Sequence, residues 1–238
     1  MSDSHRPGVE APSFHKLTRG QCSYLAVKYL VDFLVALVAA LVLLIPMVLI
    51  ALAIRIDDPG PALFTQKRVG KDQKYFQLLK FRTMRADTPH DMPTHLLTDP
   101  QQYITRVGKV LRRFSLDELP QLFNVLNGTM SIIGPRPMLD YQAPRCRGEE
   151  VLRFQMRPGL TGLAQVKGRN NLLWEDRIVF DVEYVKNFTF WLDIEILVKT
   201  VLLVFKKEGT DVKPEYRKID RFSKHYVPQE ETDGESRQ

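Results

Sequence analysis

The chain has 238 residues, with 34 Lys and Arg against 28 Asp and Glu, a formal charge of +6. That is room for one moderate domain with attachments, and the basic lean suits anionic partners such as phosphates or a lipid headgroup surface without choosing among them. Two isolated cysteines, Cys22 and Cys146, exclude a disulfide framework and offer no metal-ligand spacing, so a reducing compartment is expected.

Residues 1–20 are polar, with Pro7, Gly8 and Pro12, and read as a tail. They are no signal peptide, because the apolar stretch starts too late and no small-residue cleavage site follows it. From Phe33 to Ile54 the chain carries no charge, and a run of about 20 apolar residues can cross the hydrocarbon core. Pro46 removes one backbone donor and frees the carbonyl of Val42, which predicts a kink. Lys16, Arg19 and Lys28 precede the run; Arg55, Lys67, Arg68 and Lys71 follow it. A crossing helix concentrates Lys and Arg on the cytoplasmic side. Basic flanks at both ends predict a segment that enters, bends at Pro46 and returns to the same face, with a kinked spanning helix as the alternative.

Asp57-Asp58-Pro59-Gly60-Pro61 is a turn-rich exit. Residues 62–69 and 74–81 read as a hairpin around Gly70-Lys71-Asp72. Residues 86–103 are polar; His90, Asp91 and His95 there suit a loop better than a metal site. Ile104, Val107, Leu111 and Phe114 then repeat at near-helical spacing.

The centre of the chain is Arg112-Arg113-Phe114-Ser115-Leu116-Asp117-Glu118-Leu119-Pro120-Gln121. Ser115 and Glu118 form a capping-box pattern, so a helix is expected to open here. Pro120 suits that helix better if Asp117 is the N-cap, since proline is tolerated in the first turn. Either way both carboxylates sit at a positive helix end, which favours their ionised form by about 0.3–1 kcal/mol. Read locally, Ser115, Asp117 and Glu118 are equally well explained as caps alone.

The helix runs through Leu119, Leu122, Phe123 and Leu126 to a stop at Asn127-Gly128. Residues 130–133 read as a short strand leading into Gly134-Pro135-Arg136-Pro137, a stiff loop with Arg136 held between prolines. Arg157-Pro158-Gly159-Leu160-Thr161-Gly162 is a tight turn, and residues 163–166 read as a strand. Lys167-Gly168-Arg169-Asn170 is a basic loop whose glycine lets backbone approach a phosphate. Residues 174–187 read as a helix with Asp181 and Tyr184 on one side. Residues 188–205 place aromatics at one end and lysines towards the other, which suits a helix lying in the membrane interface; an ordinary amphipathic core helix is the alternative. Beyond Gly209 the chain is polar and charged, and a disordered tail is expected.

A carboxylate pair with Lys80, Arg82, Arg112, Arg136 and Arg169, and without a catalytic histidine, points to a phosphorylated substrate and a divalent metal. Arginine forks match phosphate oxygens, and Mg²⁺ is held by one or two carboxylates plus substrate phosphates. There is no Walker A pattern, so a nucleotide would be held by these loops. An ionised Asp can itself be the nucleophile.

These motifs resemble the small monotopic polyprenyl-phosphate phosphoglycosyl transferases of the bacterial sugar transferase family. The resemblance covers about residues 24–208. It rests on the Pro-interrupted apolar segment, Asp58-Pro59-Gly60-Pro61, Gln66-Lys67-Arg68-Val69-Gly70 and Lys80-Phe81-Arg82-Thr83-Met84. It continues through Leu111-Arg112, Ser115 to Gln121, Gly134-Pro135-Arg136-Pro137, Arg157 to Gly162, Gly168-Arg169-Asn170 and Asp181-Val182-Glu183-Tyr184-Val185. It implies a mixed α/β fold, mostly helical with short strands. A polar tail over 1–23 would precede a re-entrant membrane helix over 24–57 kinked at Pro46. A catalytic domain with interfacial amphipathic helices would cover 58–208, and a tail 209–238. Larger members carry an N-terminal multi-span bundle, which these residues could not supply.

The resemblance further implies transfer of a sugar 1-phosphate from a UDP-sugar to undecaprenyl phosphate with release of UMP. The expected setting is the cytoplasmic face of a bacterial membrane, at the first membrane step of exopolysaccharide, capsule or glycoconjugate synthesis. Asp117 would be the nucleophile, and Glu118 would help hold Mg²⁺ or position the acceptor. Arg112 would sit against phosphate and Arg136 near the nucleotide, with Lys80, Arg82, Arg169 and Asp181 shaping the site. The implied partners are the UDP-sugar, undecaprenyl phosphate and the bilayer, with no nucleic acid; a homo-oligomer is compatible with this. Two other readings are a membrane-anchored basic binding module, which scattered basic loops beside carboxylates disfavour, and a glycosyl transferase that releases UDP.

Overall fold

The computed structural model describes residues 15–88, 100–168 and 172–205. His90, Asp91, His95, Arg169, residues 1–14 and the tail over 209–238 lie outside the described residues. Helix α1, Arg19–Val42, begins earlier than the sequence reading places it. Thr18 Oγ1 accepts from the Gln21 N–H at 3.2 Å while Gln21 Oε1 accepts from the Thr18 N–H at 3.0 Å. This capping box stands in a polar stretch that otherwise reads as tail.

α1 ends at Val42 with Leu43 as its cap, and α2 runs over Leu44–Asp57. Pro46 is thus the third residue of a new helix, where a missing N–H is harmless. The break falls three residues ahead of it because the proline ring crowds the carbonyl one turn back.

β1 (Leu63–Val69) pairs antiparallel with β2 (Tyr75–Phe81), from Leu63 opposite Phe81 to Val69 opposite Tyr75. This is the expected hairpin. After α3 (Arg106–Arg113) and α4 (Gln121–Leu126) comes β3 (Ser131–Ile133). Next, β4 (Met138–Leu139) joins the free side of β1, and β5 (Gly159–Thr161) pairs in parallel with β3. Three helices close the described chain: α5 (Leu163–Gly168), α6 (Trp174–Asn187) and α7 (Phe190–Phe205). The fold is mixed α/β, mostly helical with short strands. One expectation fails: residues 163–166 are helical, in α5, and the strand is the preceding Gly159–Thr161. A four-residue apolar run does not tell a strand from a buried helical turn.

Both apolar helices are built into the domain. Ala36 of α1 packs with Leu78, Leu122, Val125 and Met130; Met47 and Ile54 of α2 pack with Phe81 and Leu111. Their other faces are bare: Val38, Leu41, Val42, Ile45, Leu49 and Leu52 are each more than half exposed. So large a contiguous apolar surface marks an interaction with membrane or protein. By length and composition α1 is able to cross a membrane.

α7 lies against α1 through a buried polar cluster. Lys28 Nζ is 3.0 Å from Asp193 Oδ2 and 3.6 Å from Asp32 Oδ2. The hydroxyls of Tyr24 and Tyr184 each donate to Asp193 at 2.7 Å, and Ser131 donates to Asp32. One earlier reading changes. Lys28 is 5 % exposed, so it is not a membrane-flanking charge; Asp193, its partner, is 5 % exposed as well. The other side of α7 exposes Phe190, Trp191, Val198, Val201 and Leu202, as an interfacial helix would.

Candidate active site

The carboxylate pair sits on a turn rather than at a capped helix start. α3 ends at Arg113 with Phe114 as its cap, and Ser115 takes a left-handed conformation at φ 56°, with no capping hydrogen bond from its side chain. A 3₁₀ turn over Leu116–Glu118 follows, and α4 begins at Gln121 with Pro120 before it. Pro120 decides this outcome, since a helix capped by Ser115 would bring its ring against a helical carbonyl. The expected capping box is therefore not formed. Leu116 and Leu119 pack on the cluster that Met47 and Ile54 of α2 form with Phe81 of β2 and Leu111 of α3, which ties the turn to the same core as α2.

Four basic side chains converge on it. Lys80, near the end of β2, places Nζ 2.7 Å from Glu118 Oε1 and 3.8 Å from Asp117 Oδ2. Arg136 Nη2 lies 3.6 Å from the same Glu118 oxygen. Arg112 donates from Nε to Thr83 Oγ1 at 2.8 Å, and its charge is felt at Asp117. Arg68 stands close enough to interact with both Arg136 and Glu118. Asn124 registers the parts: its amide accepts from the Leu79 N–H at 3.0 Å and donates to Gln77 O at 2.8 Å. It thereby locks α4, and the turn before it, to the open edge of β2.

These surroundings split two adjacent carboxylates. Burial pushes the Asp117 carboxyl up, and Glu118 pushes it further, against the pull of Lys80 and Arg112. Burial acts on Glu118 in the same direction, but Lys80 and Arg136 overcome it and hold that carboxyl at about 2. The expectation that a helix end favours ionisation of both is thus corrected for Asp117. A 3₁₀ turn has little dipole to offer, so neighbouring charge and burial decide.

The remaining candidates are dispersed. Arg82 ion-pairs with Asp58 at 3.1 Å and donates to the backbone carbonyl of Asp58, pinning the exit of α2 rather than joining the carboxylates. Asp181 is buried against Arg153, which also donates to Arg136 O at 2.7 Å. Sequence reasoning missed Arg68, Asn124 and Arg153 as parts of the site. The one available signal was Asn124, a polar residue on the apolar side of a short helix.

The donor set fits Mg²⁺. Both described contacts of Glu118 with Lys80 and Arg136 fall on Oε1, which leaves Oε2 and the Asp117 carboxylate to face a hard cation. Two carboxylates with substrate phosphates suffice for Mg²⁺. Among the described residues no group of three His, Cys, Asp or Glu could hold a metal by itself.

A carboxylate pair ringed by lysine and arginine, in a domain that carries two largely bare apolar helices, has the chemistry of a phosphate-handling site. The bacterial sugar transferase family model matches residues 23–207, and the chain belongs to that family. It is 40% identical over 190 residues to a UDP-galactose-lipid carrier transferase of Erwinia amylovora, covering 74% of this chain and 40% of that protein. It is 46% identical over 166 residues to a UDP-glucose:undecaprenyl-phosphate glucose-1-phosphate transferase of Caulobacter vibrioides, covering 65% of this chain and 61% of that one. An uncharacterized sugar transferase of Bacillus subtilis is 42% identical over 156 residues, covering 66% and 76%. The chain therefore spans only part of the length of the first two relatives.

Proposed function

We propose that the protein transfers a sugar 1-phosphate from a UDP-sugar to undecaprenyl phosphate and releases UMP. The observation that carries this reading is the gathering of Asp117 and Glu118 with Lys80, Arg112 and Arg136, on a turn whose Leu116 and Leu119 share a core cluster with the apolar helix α2. A soluble nucleotide donor and a lipid phosphate meet only at a membrane face, and a turn that shares a core cluster with an apolar helix whose other side is bare would lie at such a face.

In the first half-reaction an Asp117 oxygen attacks the sugar-bearing phosphorus of the donor. The bond between the two phosphoryl groups breaks, and UMP leaves. In the second, a phosphate oxygen of undecaprenyl phosphate attacks the same phosphorus, and the Asp117 carboxylate departs. One anhydride replaces another, so the exchange needs no ATP. Lys80, Arg112 and Arg136 supply fixed positive charge against the phosphoryl oxygens. Asp117 and Glu118 would hold Mg²⁺, which neutralises diphosphate charge when bound. Glu118, kept ionised by Lys80 and Arg136, orients those cations and stays deprotonated throughout.

α1 and α2 would form a re-entrant segment. Its two ends meet the same domain: Gln21 Nε2 donates to Lys186 O at 3.0 Å, and Asp57 Oδ2 accepts from the Val107 N–H at 2.9 Å. With the domain at the cytoplasmic face, both ends lie there too. Cysteines placed before Thr18 and after Asp58 label together from the cytoplasmic side; labelling of the first from outside refutes re-entry.

The activity is tested by incubating the protein with undecaprenyl phosphate and a panel of UDP-sugars. UMP release, with covalently trapped sugar phosphate on Asp117, supports the reading. UDP release would mean that only the sugar moves.

A further inference from the structure

The Glu118 contact depends on Arg136, and the loop carrying Arg136 is held with unusual completeness. Pro135 and Pro137 have no N–H, so their loop is fixed through its carbonyls. Three successive carbonyls accept from three different elements. Pro135 O takes the Gly159 N–H at 2.9 Å, Arg136 O takes Arg153 Nη2 at 2.7 Å, and Pro137 O takes Arg68 Nη1 at 3.2 Å. Gly134 donates to Thr161 O at 2.9 Å. A Cβ on Gly159 would lie 2.1 Å from Gly134 N, so backbone rests on backbone with no room for a side chain.

We infer that Arg153 and Arg68 are positioning residues: they grip the Arg136 loop by two adjacent carbonyls and so set how the Arg136 guanidinium meets Glu118. Asp181 serves as the counter-ion that holds Arg153 in place. This rests on the proposed reaction, in which Arg136 faces the substrate.

Stability does not account for Arg153. It is 2 % exposed, and its Nε and Nη1 are buried without a hydrogen-bond partner among the described residues. A buried ion pair with unmet hydrogen bonds stabilises poorly, because desolvating two ions offsets their attraction. An apolar side chain of the same volume would fill the space without that penalty. What the guanidinium adds is a donor aimed at one carbonyl. Arg68 is built the same way: Nη2 is held by Gln66 Oε1 at 2.6 Å, which aims Nη1 at Pro137. Burial and the nearby Arg136 lower the Arg68 guanidinium to about 10, so it stays charged at neutral pH despite standing beside another cation. Repulsion of that kind is tolerated where direction matters, since misplacing a catalytic group by about 1 Å lowers rates by about a hundredfold.

The test is a double-mutant cycle on kcat/KM for the UDP-sugar, with Arg68→Lys and Asp181→Asn each crossed with Arg136→Ala. Loss of a charged hydrogen bond predicts a decrease of about tenfold for either variant in the parent background. In the Arg136→Ala background the further decrease is less than about twofold, because the residue being positioned is gone. Equal losses in both backgrounds overturn the inference, as does full turnover by Arg136→Ala itself. Arg68→Lys keeps the charge and the stem, so it folds even where a change at the Asp181 pair does not. Amide exchange gives a readout independent of turnover. Arg68→Lys accelerates exchange in residues 134–139 and leaves α6 and α7 unchanged. Unaltered exchange in 134–139 overturns the inference, whatever the parent's activity. A parent that releases no UMP counts against the proposed reaction instead.

Discussion

Lys80→Met removes the closest cation from the carboxylate pair, and the structure sets the size and pH dependence of the consequence. Lys80 Nζ lies 2.7 Å from Glu118 Oε1, against 3.6 Å for Arg136. Burial raises the Glu118 carboxyl, and the two cations more than offset it, so that it falls from its ordinary 4.5 to about 2, a net of about 3 kcal/mol at neutral pH. Lys80 contributes the larger share. With 27 % of the Glu118 side chain exposed, screening leaves about 1–2 kcal/mol for it. In a chain of this size that lowers Tm by about 3–6 °C at pH 7.

The sign with pH follows from linkage. A carboxylate whose folded pKa lies below its unfolded value contributes stability above pH 4.5, and that contribution is lost as pH falls towards 2. The Tm difference between parent and Lys80→Met should therefore hold from pH 7 to pH 5 and shrink to less than about half by pH 2. Tryptophan fluorescence during thermal unfolding in detergent micelles measures it. A deficit of equal size at all three pH values would show that Lys80 acts through the packing of its methylene stem, and the electrostatic account of the site would be wrong.

Three further outcomes are expected. Asp117→Asn abolishes transfer yet raises Tm by about 1–4 °C at pH 7, because burial and Glu118 both oppose the charge that Asn removes. The gain should fade as pH drops through the ordinary carboxylate range, and a lower Tm at pH 7 would contradict it. Ser115→Ala stays within about 0.5 kcal/mol of the parent in denaturant unfolding, since Ser115 caps nothing; a loss of about 1 kcal/mol would reinstate a capping role. Lys28→Met strands two buried carboxylates, Asp32 and Asp193, and lowers stability by about 3–5 kcal/mol. In the same background Asp193→Asn should recover part of that loss, and a double variant no better than Lys28→Met alone would count against the cluster.

Much of the fold was legible because short-range chemistry decides it. The hairpin over 62–81 follows from strand-forming residues around a turn. Gly128, at φ 77°, ends α4 as a glycine is suited to do. α6 appears over the expected residues. The failures also have local causes. Residues 163–166 are too few to tell strand from helix, and Thr18 with Gln21 lay in a stretch too polar to suggest an ordered helix start. The candidate site was legible as a set of residue types but not as an arrangement. Arg153 sits 28 positions from Asp181 and 17 from Arg136, and no periodicity links such distances.

By itself, then, the sequence determined the apolar segment broken ahead of Pro46, the adjacent carboxylates at Asp117 and Glu118, and the stiff loop at Arg136. Each follows from bonded geometry or from a run of side chains with one character. Only the tertiary structure decided which charge faces which. It took Lys28 from the membrane flank into an ion pair with Asp193, gave Arg82 to Asp58 and Asp181 to Arg153, and left Lys80 to divide Asp117 from Glu118. A charged side chain has the same chemistry everywhere along a chain; burial and the nearest opposite charge assign its role, and both come into being only when distant segments pack.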